Sequence, residues 1–198
     1  MTVQPTLLAF DTSAAYCAAA LLLHGQIITR VDEMKKGQAE HLMPMLNEML
    51  SEAGLGWQDL DGIGVGLGPG NFTGIRISVA AARGIALALG KPAIGVNGFE
   101  ARAHGYARPI VATIPAPREN HYVQTFADSG PDEPRLEPLS DFAPTCPVAP
   151  EADAQTLIRN VALIAASRLG TPQPRPAPLY VRAADAAPPR DPAPVILS

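Results

Sequence analysis

The sequence predicts an α/β protein in two parts: a first half ordered β-β-β-α-β-α-β through about Asn97, and a loop-rich second half. Three observations predict it. Near-continuous apolar runs of strand length open the chain, two later segments carry apolar or small residues over helical lengths, and 17 of the 21 prolines lie beyond residue 100. The expected division is residues 1–98 for a first lobe and 99–198 for a reduced, Pro-rich second lobe with one main helix and an extended tail.

The elements follow in order. "TLLAFD" (Thr6–Asp11) and "YCAAALLL" (Tyr16–Leu23) are apolar throughout, as strands covered on both faces are. "QIITRVD" (Gln26–Asp32) is more mixed and suits an outer strand, and His24-Gly25 makes a two-residue hairpin connection. In "GQAEHLMPMLNEMLSEAG", residues Leu42, Met45, Leu46, Met49, Leu50 and Ala53 recur at helical spacing and Gly54 stops the pattern. Pro44 inside it predicts a late start or a kink. A strand over Asp61–Leu67, a helix over Phe72–Leu89 ending at Gly90, and a buried strand over Lys91–Asn97 complete the first half. Beyond it, strands are expected at Pro109–Pro115 and His121–Ala127, a turn at Ala127–Pro134, and a helix over about 153–169 with Leu157, Ile158, Val161, Ile164, Ala165 and Leu169 on one face. "PLYVR" is the expected ordered anchor of the tail.

Composition narrows the function. The 198 residues carry a formal net charge of −4, so no overall basic surface drives nucleic-acid binding. The N-terminus lacks a basic start and Asp11 interrupts its apolar run, so no secretory signal is expected, and Ala14 to Leu23 is too short to span a bilayer. Cys17 and Cys146 fit no metal or redox spacing. A cytoplasmic setting without membrane attachment is therefore expected, and the Asn71-Phe72-Thr73 glycosylation match carries no meaning there.

The stretch "GIGVGLGPGNFTGIR" (Gly62–Arg76) poses the main question, because glycine-rich turns before helices often hold phosphates. A P-loop needs a lysine, and none occurs between Lys36 and Lys91. A dinucleotide fingerprint needs a third glycine where Asn71 stands and an acid about twenty residues later, where "IRISVAAARGIALALG" has none. Two readings remain open. Backbone amides at the helix start, helped by Arg76, could accept an anion. Alternatively, the alternating Gly62, Gly64, Gly66 and Gly68 leave one strand face bare, while Ala80, Gly84 and Ala88 make a smooth ridge for a second helix. The packing reading is favoured, since Gly84 costs a helix roughly 1 kcal/mol against alanine unless close packing offsets it.

"LLAFDTS", "GPGNFTGIRISVAAARGIALALGKPAIGVNGFEA" and "PLYVR" together resemble the TsaB (YeaZ) family of bacterial tRNA modification, most specifically through Gly68, Pro69, Gly70, Phe72, Thr73, Gly74 and Arg76. The resemblance is strong over residues 6–102 and thin afterwards. It implies an actin/Hsp70/sugar-kinase-like (ribonuclease H-like) lobe with a mixed five-stranded sheet, whose element order is the one derived above. It further implies a non-catalytic subunit of the complex that makes tRNA N6-threonylcarbamoyladenosine. Its partners would be the transferase TsaD, in a direct heterodimer, and the ATPase TsaE, with tRNA met through the complex.

Asp11, Thr12 and Ser13 match the first phosphate turn of the implied fold, as a vestige without a resident cofactor. A TsaD-type sequence carries two metal-binding histidines four apart where this chain has Gly98 and Arg102, so no metal site is implied. The TsaD-binding face is expected on the two first-half helices, with Met43, Met45, Met49, Ala80, Arg83, Gly84 and Ala88 as candidates. Without TsaD, the same apolar face would allow a homodimer. The alternatives are a small-molecule kinase of the same superfamily, with Asp11 placing Mg–ATP, and a metallopeptidase-like protein. The superficial second phosphate turn at Asp128-x-Gly130 reads better as a hairpin turn.

Overall fold

The computed structural model describes residues 4–181. Five strands form the first sheet: β1 (Leu7–Asp11), β2 (Tyr16–Leu23), β3 (Gln26–Glu33), β4 (Gly62–Gly66) and β5 (Ala93–Val96). Their spatial order is β3-β2-β1-β4-β5. The β1–β2 and β2–β3 pairs are antiparallel, and β4 and β5 add parallel to β1. This mixed five-stranded sheet is the one expected of an actin/Hsp70/sugar-kinase-like lobe.

Helices α1 (Gln38–Glu52) and α2 (Phe72–Leu89) cover one face. Leu8, Phe10, Leu21, Ile63 and Val65 from the sheet pack there on Leu42, Met45, Leu46, Ile75 and Val79. On the other face Leu7, Ala9, Ala18, Ala20 and Leu22 pack on Ile158, Val161 and Ala165 of α4 (Ala154–Ser167). Burial of both faces explains why β1 and β2 read as unbroken apolar runs. The outer strand β3 alternates instead, with Ile28 exposed.

Helix ends follow local chemistry. The Asn71 side chain accepts the Gly74 amide at the start of α2, and Gly90, at φ 64°, ends it in the left-handed region. Asp153 caps α4 by accepting the Thr156 amide at 2.7 Å. Pro44 neither delays nor interrupts α1, which runs from Gln38 with the proline on its exposed side. There the one backbone bond that proline removes leaves the Glu40 carbonyl to water.

The second sheet contains β6 (Ile110–Ala116), β7 (Asn120–Ala127), β8 (Gly130–Pro131) and β9 (Arg135–Pro138), all joined through β7. The turn expected at Ala127–Pro134 connects β7 to β8. Helix α3 (Gly98–Ala103) links the sheets, and Phe99 and Ala103 seal a small core with Ile110, Ala112 and Phe126. Neither α3 nor β9 was legible in the sequence: each spans too few residues to display a period.

The bare face of β4 is the largest departure from expectation. A Cβ on Gly62 would meet Leu169 at 2.6 Å, and one on Gly64 would lie 3.0 Å from the Cβ atoms of both Ala165 and Ala9. The helix lying on the glycines is thus α4 of the same chain, and no second protein is needed to fill that face. α4, grouped by sequence with the second half, is anchored on the first sheet. Arg168 at its end bonds Glu100 of α3 and donates to the Gly95 carbonyl at 3.2 Å, and Asn160 donates to the Ala101 carbonyl at 2.8 Å.

Two glycines should therefore respond oppositely. Gly64→Val should destabilise the fold by about 1–3 kcal/mol in urea unfolding, through overpacking under α4. A Cβ on exposed Gly84 meets nothing within 4 Å. Gly84→Ala should stabilise by about 0.5–1 kcal/mol through helix propensity alone.

Candidate functional site

Two regions hold the residues singled out by sequence: the junction of the Asp11–Ser13 turn with the glycine motif, and the outer side of α1 and α2. At the junction, main chain meets main chain. The Asn71 amide donates to the Ser13 carbonyl at 2.6 Å, the Thr12 hydroxyl donates to the Gly74 carbonyl at 2.6 Å, and the Gly98 amide donates to the Gly68 carbonyl at 2.7 Å. A Cβ on Gly74 would overlap the Thr12 carbonyl oxygen, and one on Gly70 would overlap that of Ser13. Gly68 takes φ 83°, which side chains resist.

This arrangement takes up part of what a phosphate would need, while the Phe72 and Thr73 amides have no hydrogen-bond partner among the described residues. The first-turn donors Asn71 and Gly74 are committed to the Ser13 carbonyl and the Asn71 side chain. Arg76 is also engaged: its guanidinium lies 3.7 Å from the Phe72 ring centroid and its Nε donates to the Tyr180 hydroxyl at 2.8 Å. Leu179 donates its amide to the Leu67 carbonyl at 2.8 Å. The motif thus pins the expected "PLYVR" anchor through Val181, while Arg182 lies outside the described residues. Thr73 is exposed on the first turn.

Beyond the turn lies a cleft of about 810 Å³, outside the carboxyl ends of β1, β4 and β5 and facing the second sheet. Asp11, Ser13, Tyr16, Lys35, Arg102 and Tyr122 are among its polar lining residues. Asp11 accepts the Ser13 amide at 2.6 Å, which favours its ionised form, but burial dominates and raises its pKa. Burial, reinforced by the Asp11 charge, also pushes the Tyr16 hydroxyl up. Asp128 and Gly130, in the β7–β8 turn, do not line the cleft. Where the resemblance places a histidine pair, the Gly98 amide bonds Gly68 and Arg102 lines the cleft. Sequence reading missed Tyr16, Lys35 and Tyr122, because nothing local marks residues of β2, the β3–α1 loop and β7 as neighbours.

On the helical face the candidates separate. Met45 and Met49 are buried in the core beneath α1, which removes them from any contact surface. Helical spacing identified their shared face but could not say that it points inward. Met43 is exposed at 37%, and Ala80, Gly84 and Ala88 all lie on the exposed side of α2. Leu87 beside them is 85% exposed. Arg83 is half-buried, and its Nε has no hydrogen-bond partner among the described residues. α2 is long and apolar enough by composition to cross a membrane, yet Ile75, Val79 and Ala82 are buried on the sheet.

Asp11→Asn keeps the acceptor for Ser13 and removes the buried charge. With its pKa raised in the native state, wild-type Asp11 binds its proton more tightly folded than unfolded. Its contribution therefore falls as pH rises from the unfolded value through the raised native one. Urea unfolding across pH should show the variant more stable at pH 7, with the difference vanishing in acid.

The family model described as "TsaD: tRNA N6-adenosine threonylcarbamoyltransferase" matches residues 32–130, half of the chain. The Haemophilus influenzae tRNA threonylcarbamoyladenosine biosynthesis protein TsaB is 36% identical over 117 residues, covering 56% of this chain and 49% of that one. The Escherichia coli K12 protein of the same name is 33% identical over 107 residues, covering 54% and 46%. The chain spans about half the length of these curated relatives. A solved structure of YeaZ from Pseudomonas aeruginosa superposes with TM-score 0.73 at 24% identity, covering 89% of this chain and 99% of that one. With the mixed sheet and the glycine motif seated on the Asp11–Ser13 turn, these matches show that the chain belongs to the threonylcarbamoyltransferase-related family, on its TsaB/YeaZ branch.

Proposed function

We propose that the protein is a non-catalytic docking subunit in tRNA N6-threonylcarbamoyladenosine synthesis, binding TsaD directly through the outer side of α1 and α2. TsaE would join that pair, and tRNA would be met by the assembly in the cytoplasm. One observation carries the reading. The Ala80, Gly84 and Ala88 ridge lies open beside exposed Leu87, on a helix whose other side is already packed on the sheet. A helix this apolar with a smooth, uncovered side is suited to close packing against another helix. Without TsaD, the same surface would pair two copies of the chain. Gly98 and Arg102 at the positions of a metal-binding pair support a role without chemistry of its own. The division into lobes 1–98 and 99–198 enters on the same footing, with α4 returning from the second to cover the first sheet.

A small-molecule kinase remains the second reading, because Asp11 does line a cleft. It requires that the isolated chain bind Mg–ATP, and calorimetry showing no heat of binding removes it.

Gly84→Leu and Ala80→Leu should each weaken TsaD co-purification roughly tenfold or more, through bulk placed on the contact, while leaving the melting temperature little changed. Met45→Ala should instead cost about 2–5 kcal/mol of stability, since it empties the core. In tRNA threonylcarbamoylation reconstituted from purified components, omitting this chain should abolish the product, and either leucine variant should depress it in step with lost binding. Full TsaD binding by both folded leucine variants would show that the face is wrong.

A further inference from the structure

The cleft at the carboxyl ends of β1, β4 and β5 has no part in the docking role. Its volume, about 810 Å³, is that of a small-molecule site, and such crevices are where α/β sheets receive ligands. Much of its wall is apolar, with Ile114, Pro115, Pro117 and Leu157 among the accessible lining residues. Its charges are few: Lys35 and Arg102 are the cations, and Asp11 is the lining carboxylate.

Arg102 is the informative residue. It is partly withdrawn from water, which lowers its pKa, yet none of the ion pairs or side-chain hydrogen bonds among the described residues involves it. Glu151 acts on it only at a distance, without an ion pair. A guanidinium stays charged and carries five donors in a planar fork, and with no acceptor among the described residues those donors are left open to the cleft. A carboxylate matches that fork with two parallel bonds. Asp11 does not supply it, being turned over Gly66 and bonded to Ser13. A polyphosphate would need several donors from the glycine motif, and two of them, Asn71 and Gly74, have given theirs to the protein itself.

We propose that this cleft binds a small organic carboxylate with an apolar body, the carboxylate on Arg102 and the body against Ile114 and Leu157. Lys35 at the rim strengthens the positive potential that draws the anion in. The occupant is thus an amphipathic monoanion, and a nucleotide is disfavoured.

Calorimetry on the full chain tests this with three isosteric probes, 4-phenylbutyrate, 4-phenylbutanol and 4-phenylbutylamine, with Mg–ATP as a fourth titrant. The carboxylate should bind saturably, roughly tenfold tighter than the alcohol, with the amine weaker still. Arg102→Met should bring the carboxylate down to the alcohol's affinity while the alcohol is unchanged, and Arg102→Lys should restore part of the loss. Leu157→Trp, which fills the cleft, should remove carboxylate binding, and it decides the matter if Arg102→Met fails to fold. The proposal is overturned if 3-phenylpropionate, 4-phenylbutyrate and 5-phenylvalerate all fail to bind. The same follows if the alcohol binds as tightly as the carboxylate, if Arg102→Met or Leu157→Trp binds normally, or if Mg–ATP binds more tightly than the carboxylate. None of these results bears on TsaD binding, so the two readings stand or fall separately.

Discussion

The rest of the structure depends on the contact between the start of α2 and the turn between β1 and β2. Two backbones approach there so closely that Gly70 and Gly74 have no room for a Cβ, and the Ser13 carbonyl and Thr12 hydroxyl bond across the seam. A contact of this kind is set by main-chain geometry, so it fixes position more tightly than side-chain packing, which can relax. From it follow the direction of α2 across the sheet, the seat of Arg76 on Phe72, and the hold on Leu179 and Tyr180. Through Gly68 the same loop reaches the Gly98 amide, tying the ends of β4 and β5 to α3. A phosphate cradle needs its amides free, and here the chain's own carbonyl and side-chain oxygens hold the amides of Asn71 and Gly74.

A second close approach closes the other side of the sheet. The glycines of β4 let α4 settle onto the strand, with Ala165 against Gly64 and Leu169 over Gly62. α4 lies far along the chain from β1 and β2, so the first sheet buries its second face only when the late helix returns. Contacts of such sequence separation carry a loop-closure cost that local helix–strand pairs avoid. The proline-rich second half is therefore no appendage. It carries a cover for the core of the first half.

With both sheet faces filled by the chain's own helices, two surfaces among the described residues stand out as open to other molecules. One is the outer side of the α1–α2 layer, where Met43, Ala80, Leu87 and Ala88 are exposed and α1 adds Glu40, Glu48 and Glu52. The other is the cleft, where a carboxylate with a raised pKa and a guanidinium without an ion pair among the described residues share apolar walls. The first surface suits a macromolecule and the second a small one, because an exposed helical face and a concave charged pocket reward different shapes.

Particular residues show what the sequence by itself determined. Unbroken apolar runs marked β1 and β2 as doubly covered strands, the bounds Phe72–Leu89 with Gly90 as the stop were placed correctly for α2, and the missing lysine and acid removed the phosphate-loop readings of the glycine stretch. These are local properties, set by period, capping and residue chemistry within a few positions. Only the tertiary structure decided that Met45 and Met49 face the core while Met43 does not, and that the helix over the bare strand is α4. It also brought Tyr16 of β2, Lys35 of the β3–α1 loop and Arg102 of α3 to one cleft. Periodicity tells which residues share a side of an element, but what that side meets is a long-range contact that no short stretch of sequence encodes.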